Sequence, residues 1–309
     1  MRALLLERNK MVSRRVVRYL TCAGFEALCV EEPDQVAAKL DGIDLLVTDA
    51  FDGDLMVKAI RANPALRGLL LTAEPMKASL RHVVETPQVS NVFGRLDFES
   101  APSRWEFMMV CRRILRPADP GPGFSAFLDW GFNGFQERVT GTAHRDQVVQ
   151  RVERFIDHLG VPKRVGGMFG ELAHEMLMNA VYDAPVDAGG TAKYAQNRKA
   201  TLQLLPDEQP TLRLASDGAR LAIQVVDPFG RLQRKHVFSG LQRGLIEGGE
   251  MDRSHGGAGL GMVVCHNSTV AMFFDVVRGQ KTEVTGVFDL DMNLREFRTH
   301  AKSLHYFEA

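Results

Sequence analysis

The 309-residue sequence lacks net charge, clustered cysteines and long apolar runs, and each absence argues against a class of protein. Lys and Arg number 38, as do Asp and Glu, so overall charge does not favour binding to nucleic acid or an anionic membrane. The four cysteines are scattered, unlike a zinc site or a disulfide framework. The longest apolar stretches, such as 269–274, are too short to cross a bilayer. We therefore expect a cytoplasmic protein that binds neither nucleic acid nor membrane.

Two common phosphate-binding motifs are also missing. A Gly-x-x-x-x-Gly-Lys-Ser/Thr P-loop does not occur anywhere in the sequence. The glycine-rich run at 256–261 has the wrong spacing for a Rossmann fold, and the sequence predicts no strand before it. A nucleotide site in this chain must therefore be of another type.

The first part of the sequence, residues 1–116, alternates short apolar runs with amphipathic stretches. Predicted strands cover 3–6, 25–30, 43–48, 68–72 and 89–93, each followed by a predicted helix. This alternation predicts an α/β fold with a doubly wound, five-stranded parallel sheet. Such sheets bind ligands at the carboxyl ends of their strands, where Glu7, Asp49 and Thr72 lie.

This arrangement resembles a response-regulator receiver domain. The resemblance implies that Asp49 is a phosphoacceptor, with Glu7 beside it, and that Thr72 and Ala73 are the hydroxyl–alanine pair at the end of strand four. The alternative interpretation of Asp49 is a strand-end residue that caps the following turn.

Two departures from the receiver pattern predict a degenerate receiver. In Glu7-Arg8-Asn9, an arginine replaces one of the two acids that hold Mg²⁺, and Phe93-Gly94-Arg95-Leu96 lacks the usual Lys-Pro. A carboxylate attacks phosphorus poorly without a metal ion, so the lost acid should matter. We therefore predict a unit used for docking or dimerisation, in which Arg8 neutralises Asp49.

A break in the sequence at 117–123, with three prolines and two glycines, predicts a domain boundary. We assign 117–139 to a Pro/Gly-rich and aromatic linker and 140–309 to a second domain. In the aromatic stretch 124–135, packing against a domain is favoured over a partner surface.

The second domain contains a helix with polar residues at every fourth position: Glu171, Glu175, Asn179 and Asp183. Four residues span slightly more than one helical turn, so these side chains should form a line on one face. Carboxylate and amide oxygens are ligands suited to Mg²⁺, although a solvated helix face would show the same pattern.

Three later segments complete a pattern. The predicted strand 221–226 is followed at once by Asp227-Pro-Phe-Gly230, then comes the Gly-rich run 256–261, and a last predicted strand begins at Thr282. In this order the segments resemble the GHKL ATPase superfamily, which includes gyrase, Hsp90 and histidine-kinase catalytic domains. The resemblance implies a C-terminal α/β sandwich of the Bergerat type that binds ATP and Mg²⁺.

The resemblance also implies residue roles. Glu175 would be the general base and a possible Mg²⁺ ligand, Asn179 would hold Mg²⁺, and Asp227 would accept a hydrogen bond from the adenine amino group. Gly230 falls one residue later than in the family's first glycine box. The implied nucleotide contacts are Asn179, Asp183, Asp227, Gly230, Gly257, Gly259, Leu260, Gly261 and Thr282.

Within the superfamily, the chain most resembles the anti-sigma-factor serine kinases, because only one substantial helix, about 145–159, precedes the Glu175 helix. That branch implies phosphorylation of a partner protein, or its nucleotide-dependent sequestration, and possible homodimers. A basic lid (Arg231, Arg234, Lys235, Arg243 and Arg253) would neutralise phosphate charge. A non-catalytic scaffold and an atypical histidine kinase using His144 remain alternatives.

Overall fold

The chain folds into two compact units in a computed structural model that describes residues 1–117, 119, 121–187, 189–246 and 260–309. The first unit contains Met1–Gly121 together with Arg295–Phe307, and the second contains Pro122–Leu294 together with Glu308–Ala309. Among the described residues, no helix is both long and apolar enough to cross a membrane.

The first unit contains the doubly wound parallel sheet that the sequence predicts. Its strands are β1 (Arg2–Leu6), β2 (Glu26–Val30), β3 (Leu45–Asp49), β4 (Arg67–Thr72) and β5 (Val89–Gly94). Its helices are α1 (Lys10–Ala23), α2 (Asp34–Lys39), α3 (Gly53–Ala62), α4 (Lys77–Glu85) and α5 (Arg104–Leu115). The strands run parallel in the order β2-β1-β3-β4-β5, the order of flavodoxin-like and CheY-like folds.

Local sequence explains where these elements begin and end. All five residues of β3 are buried, as expected for a central parallel strand covered on both faces. The Asn9 side chain caps α1 by accepting hydrogen bonds from the backbone N–H groups of Met11 and Val12, at 2.9 and 3.2 Å. The helix ends at Gly24, whose φ of 114° favours glycine.

The second unit contains a five-stranded antiparallel sheet. Its strands are β6 (Asn133–Arg138), β7 (Thr211–Ser216), β8 (Arg220–Asp227), β9 (Ala271–Val277) and β10 (Lys281–Asp289), in the order β9-β10-β8-β7-β6. Its described α-helices are α6 (Thr142–His158), α7 (Lys163–Met178), α8 (Arg234–Leu245) and α9 (Leu260–Asn267). The protein is thus of mixed α/β class.

Helix α7 packs on the face of β10 that carries the even-numbered side chains. The rings of Phe169 and Phe288 meet edge-on with centroids 6.0 Å apart. Gly286 lies so close to this layer that a Cβ there would be 3.5 Å from Leu172 Cδ2. Side chains alternate along a strand, so Thr282 and Val284 also face the helices. One surface of the sheet is thereby turned toward the predicted site residues.

Of the stretch assigned to a linker, 117–139, the part from Pro122 onward belongs to the folded second unit. Strand β6 pairs with β7, and the preceding turn Phe124–Phe127 buries Phe127 against Phe273, with ring centroids 5.0 Å apart. Trp130 is fully exposed, so the aromatic stretch packs only in part.

The C-terminal residues do not follow the predicted boundary. After α10 (Leu294–Thr299), β11 (Ser303–Glu308) pairs antiparallel with β5, and His305 is opposite Asn91. The sequence predicts one domain over 140–309, whereas residues 295–307 belong to the first unit. The physical reason is burial: His305 is fully buried, and its Nε2 lies 2.8 Å from Glu106 Oε1.

Candidate functional site

The carboxyl ends of the parallel strands in the first unit bring together two acids and one arginine, which we call the strand-end cluster: Glu7, Asp49 and Arg95. Arg95 follows β5 and is buried, with 2% of its side chain exposed. Its Nη2 donates to Asp49 Oδ2 at 2.7 Å, and its Nη1 donates to Glu7 Oε2 at 3.1 Å. A single guanidinium therefore bridges both carboxylates.

The remaining carboxylate oxygens of the strand-end cluster also accept hydrogen bonds. Asp49 Oδ1 accepts from the backbone N–H of Phe51 at 2.8 Å, and Glu7 Oε1 accepts from that of Asn9 at 2.9 Å. All four oxygens thus have donors within the unit. A metal ion or a phosphoryl group at Asp49 would have to compete with these contacts.

The prediction that Arg8 neutralises Asp49 is wrong. Arg8 instead forms a two-pronged ion pair with Asp52, at 2.7 and 3.0 Å. Thr72, the third predicted residue here, is fully buried, and its hydroxyl hydrogen-bonds with the backbone of Glu74.

In the second unit, the predicted line of polar residues crosses a change in helix type. The α-helix ends at Met178, and Asn179–Asp183 form a π-helical turn in which Ala184 N donates to Asn179 O at 3.0 Å. A π-turn holds more residues per turn than an α-helix, so the regular four-residue line expected from Glu171 to Asp183 is not maintained. Asn179 and Asp183 nevertheless line a cavity.

This cavity has a volume of about 450 Å³, within the range of small-molecule sites. Four residues predicted to contact a nucleotide line it: Asn179, Asp183, Asp227 and Thr282. Much of the remaining lining is apolar: Met176, Ala180, Ala184, Ala195, Val225, Leu232, Met262, Cys265, Met272, Phe274 and Val284. Its other polar residues are Arg198, Arg231, Gln233 and His236.

Asp227 is the last residue of β8, and it pairs with Thr282 of the neighbouring strand β10. Burial raises the pKa of Asp227 to about 6, although the hydrogen bond that its Oδ1 accepts from the Phe229 N–H at 2.9 Å opposes the rise. The Asp227 carboxylate is therefore a hydrogen-bond acceptor held in apolar surroundings.

The turn after Asp227 requires a glycine. Gly230 has a φ of 61°, and a Cβ there would lie 2.0 Å from the backbone oxygen of Val277. The positive φ and this close approach explain why a glycine occupies position 230.

Arg198 lies in the cavity beside Asp183 and Asn179, the second of which the GHKL resemblance assigns to Mg²⁺. Its Nε donates to Asp183 Oδ1 at 3.2 Å, and its Nη2 donates to Asp183 Oδ2 and, at 3.4 Å, to Asn179 Oδ1. Burial lowers the pKa of Arg198, and the nearby Glu175 charge opposes this. A guanidinium remains charged in proteins despite such a shift.

The Asn179 oxygen, which the resemblance assigns to Mg²⁺, and the Asp183 carboxylate, which it assigns to the nucleotide, thus both face a resident cation. Among the described residues, no group of three or more His, Cys, Asp or Glu side chains is placed to hold a metal ion. The cavity dimensions and Asp227 fit an adenine ring, but the donor set around Asn179 does not fit Mg²⁺ while Arg198 is in place.

Glu175, the predicted general base, lies beside the predicted second glycine box. A Cβ on Gly261 would be 2.3 Å from Glu175 Oε2, so α7 and α9 approach closely here. Leu260 begins α9 and is half exposed. Gly257, Gly259 and the lid residue Arg253 lie outside the described residues.

The cavity mouth is basic on the side of α8. His236 and Arg231 both line the cavity. Partial burial lowers the pKa of His236, and the charges of Lys235, Arg243, Arg278 and Arg231 lower it further. Arg231 therefore adds positive charge on the α8 side of a cavity that the carboxylates of Asp183 and Asp227 also line.

The contacts of Arg95 and Arg198 are not among those predicted from the sequence. Arg95 follows a predicted parallel strand, so the same edge argument that grouped Glu7 with Asp49 could have included it. Arg198 carries no comparable signal, because its position depends on how the chain after Asp183 folds back toward that residue.

No model of a known protein family matches the chain, and no curated protein does. Among solved structures, an atypical orphan response regulator described as having a phosphorylation-independent mechanism shares 20% identity and a TM-score of 0.27, covering 30% of this chain and 78% of its own. A CheY-like receiver domain from Methanospirillum hungatei JF-1 shares 15% identity and a TM-score of 0.26, and the match covers 28% of this chain and 74% of that protein. An orphan response regulator of H. pylori shares 18% identity and a TM-score of 0.27, and the match covers 32% of this chain and 87% of that protein.

Proposed function

We propose that this chain is a cytoplasmic signalling protein whose second unit is a GHKL-type module that binds ATP and thereby regulates a partner protein. The observation that carries the proposal is that predicted nucleotide contacts from distant parts of the sequence lie in one cavity. Asn179, Asp183, Asp227 and Thr282 come from three separate segments of the sequence, and they line one cavity. A solvated helix face would not predict that convergence.

The cavity suits the two parts of a nucleotide. The apolar walls formed by residues such as Val225, Met272 and Phe274 would hold the adenine ring, and Asp227 would accept a hydrogen bond from its amino group. The phosphates would extend toward the basic side that carries Arg198 and Arg231.

For the effect on the partner, we favour nucleotide-dependent sequestration over phosphorylation. The observation behind this choice is Arg198, which contacts Asn179, the residue that the resemblance assigns to Mg²⁺, and Asp183, which it assigns to the nucleotide. In the first unit, the strand-end cluster supports a docking or dimerisation role that does not require phosphorylation of Asp49.

Calorimetric titration with ATP tests the nucleotide site. Wild type should bind with micromolar affinity, about −8 kcal/mol. Asp227→Asn should bind at least roughly tenfold more weakly, because a charge-assisted hydrogen bond is lost. The matched control is Asp207→Asn, an exposed residue outside the cavity lining, which should bind like wild type. No binding by wild type, with or without Mg²⁺, would contradict the proposal.

The variant Glu175→Gln distinguishes phosphorylation of a partner from sequestration of that partner or a scaffold role. If the chain phosphorylates its partner, this variant should bind ATP but lose transfer, because the general base is gone. A sequestering protein or a non-catalytic scaffold should keep its effect on the partner. An atypical histidine kinase would instead carry acid-labile phosphate on the chain itself, with His144 as the candidate.

A further inference from the structure

The segment after the π-helical turn is folded so that it delivers Arg198 into the cavity. Backbone hydrogen bonds join Asp187 to Thr191 and Lys193 to Pro185, which closes a hairpin-like loop. At the far end, the buried Tyr182 hydroxyl donates to Ala200 O at 2.7 Å. Arg198 is therefore held two residues from an anchored point.

A second anchor holds the middle of the same segment. The Lys193 ammonium and the Tyr194 hydroxyl both donate to the carboxylate of Glu208, which is buried. A buried carboxylate with two donors fixes the loop more firmly than an exposed ion pair would. The position of Arg198 thus follows from several contacts outside the cavity.

Within the cavity, the Arg198 guanidinium meets Asp183 through Nε and Nη2 and reaches Asn179 through Nη2. Asp183 orients the planar guanidinium, whose remaining donors are available in a cavity that it lines. Guanidinium groups bind phosphate oxygens in the same two-pronged way that they bind carboxylates.

We infer that Arg198 is a built-in counter-cation for the phosphate groups of a nucleotide, so that this cavity binds its ligand without Mg²⁺. This inference rests on the proposed function. Arg231 lines the same cavity and adds positive charge at its mouth. The ligand class is a free adenosine di- or triphosphate, and Asp183 is a positioning residue that holds Arg198.

The test is calorimetric titration of the full chain with ATP and with ADP, in EDTA and again with excess Mg²⁺. For wild type, the dissociation constants in the two conditions should agree within about threefold, which is less than one tenfold step in affinity. Arg198→Ala should weaken binding in EDTA by roughly tenfold or more, because a charge-assisted contact is lost. Arg198→Lys, which keeps the charge but not the fork, should recover part of the loss.

The matched control is Lys199→Ala, which removes a cation from the next residue, exposed and outside the cavity lining. Its affinity should equal that of wild type, and thermal unfolding should show that all variants are folded. Asp183→Asn should also weaken binding in EDTA, because Arg198 loses its orienting carboxylate.

Different failures have different meanings. If wild type binds ATP only with Mg²⁺, and Arg198→Ala binds as well as wild type, the inference is overturned while the nucleotide site stands. If wild type binds neither nucleotide in either condition, the proposed function fails as well.

Discussion

The two units each place an arginine where the family resemblance predicts a divalent cation, but the two arginines are held differently. Arg95 has 2% of its side chain exposed and bridges two buried carboxylates. Arg198 has 23% exposed, contacts one carboxylate and one amide, and lines an open cavity. The first arrangement closes a site, and the second leaves donors facing space that a ligand can occupy.

The supporting structure explains this difference. Glu7 and Asp49 lie at the ends of neighbouring parallel strands, so their spacing is set by the sheet, and Arg95 comes from the same edge. Arg198 comes from a loop and meets residues of a π-helical turn. Strand ends define a geometry more rigidly than loops do. We therefore expect Arg95 to act mainly in stability and Arg198 mainly in binding.

The largest expected effect is on the stability of the first unit in Arg95→Ala. Removing the guanidinium leaves two buried carboxylates without their cation, which should lower the free energy of unfolding by about 3–5 kcal/mol. Denaturant unfolding at neutral pH measures this. Arg81→Ala is the control, since both partners of the Arg81–Asp54 pair are exposed and the pair should contribute only about 0–1 kcal/mol. Equal losses in the two variants would contradict the difference between bridging and peripheral arginines.

The next effect concerns the buried carboxylate of the cavity, Asp227, whose pKa burial raises to about 6. A raised pKa means that the folded state holds the proton more tightly than the unfolded state. The associated stability is present below about pH 4 and is lost as pH rises through about 6. Relative to Asp227→Asn, wild type should therefore lose up to about 3 kcal/mol between pH 4 and pH 7. Denaturant unfolding of both proteins across this range measures the difference.

Ionisation of Asp227, which lowers the stability of the fold, should strengthen the binding of ATP. The ionised Asp227 carboxylate is the better acceptor for an amino group, so ATP affinity should rise as pH increases from 5 to 7. Asp227→Asn should not show the part of the pH dependence that is centred near pH 6. An identical pH profile in wild type and variant would show that Asp227 is not the acceptor.

The smallest effect is expected from Arg198→Ala on folding. Its ion pair with Asp183 is partly exposed on both sides, so its loss should change the free energy of unfolding by only about 0–1 kcal/mol. Lys199→Ala provides the comparison within the same segment. A loss as large as that of Arg95→Ala would mean that Arg198 serves the fold and would remove the contrast between the two units.

The sequence predicted the first unit well because its elements are set by local patterns. The alternation of apolar strands with amphipathic helices located each of β1 to β5, and the strand-end rule grouped Glu7 with Asp49. Four of the residues that the sequence predicts for a nucleotide site, Asn179, Asp183, Asp227 and Thr282, line one cavity, and their role in binding stays a prediction.

What the sequence could not predict depends on contacts between distant residues. Pairing of β11 with β5 depends on burial of His305, about two hundred residues from Asn91 along the chain. The apolar pattern of the sequence around 179–183 is that of a continuing α-helix, so periodicity does not reveal the π-helical turn. Arg198 reaches Asp183 only because the intervening loop folds back.

The most direct test of the claim that arginine replaces a metal ion is the effect of Mg²⁺ on the stability of wild type and Arg95→Ala. Wild type should show no Mg²⁺-dependent gain, because Arg95 holds the carboxylates of Glu7 and Asp49. Arg95→Ala should gain about 1.4 kcal/mol when Mg²⁺ is tenfold above its dissociation constant, because the freed carboxylates then bind the ion. If wild type gains as much as the variant, the guanidinium does not occupy the cation position and the account is contradicted.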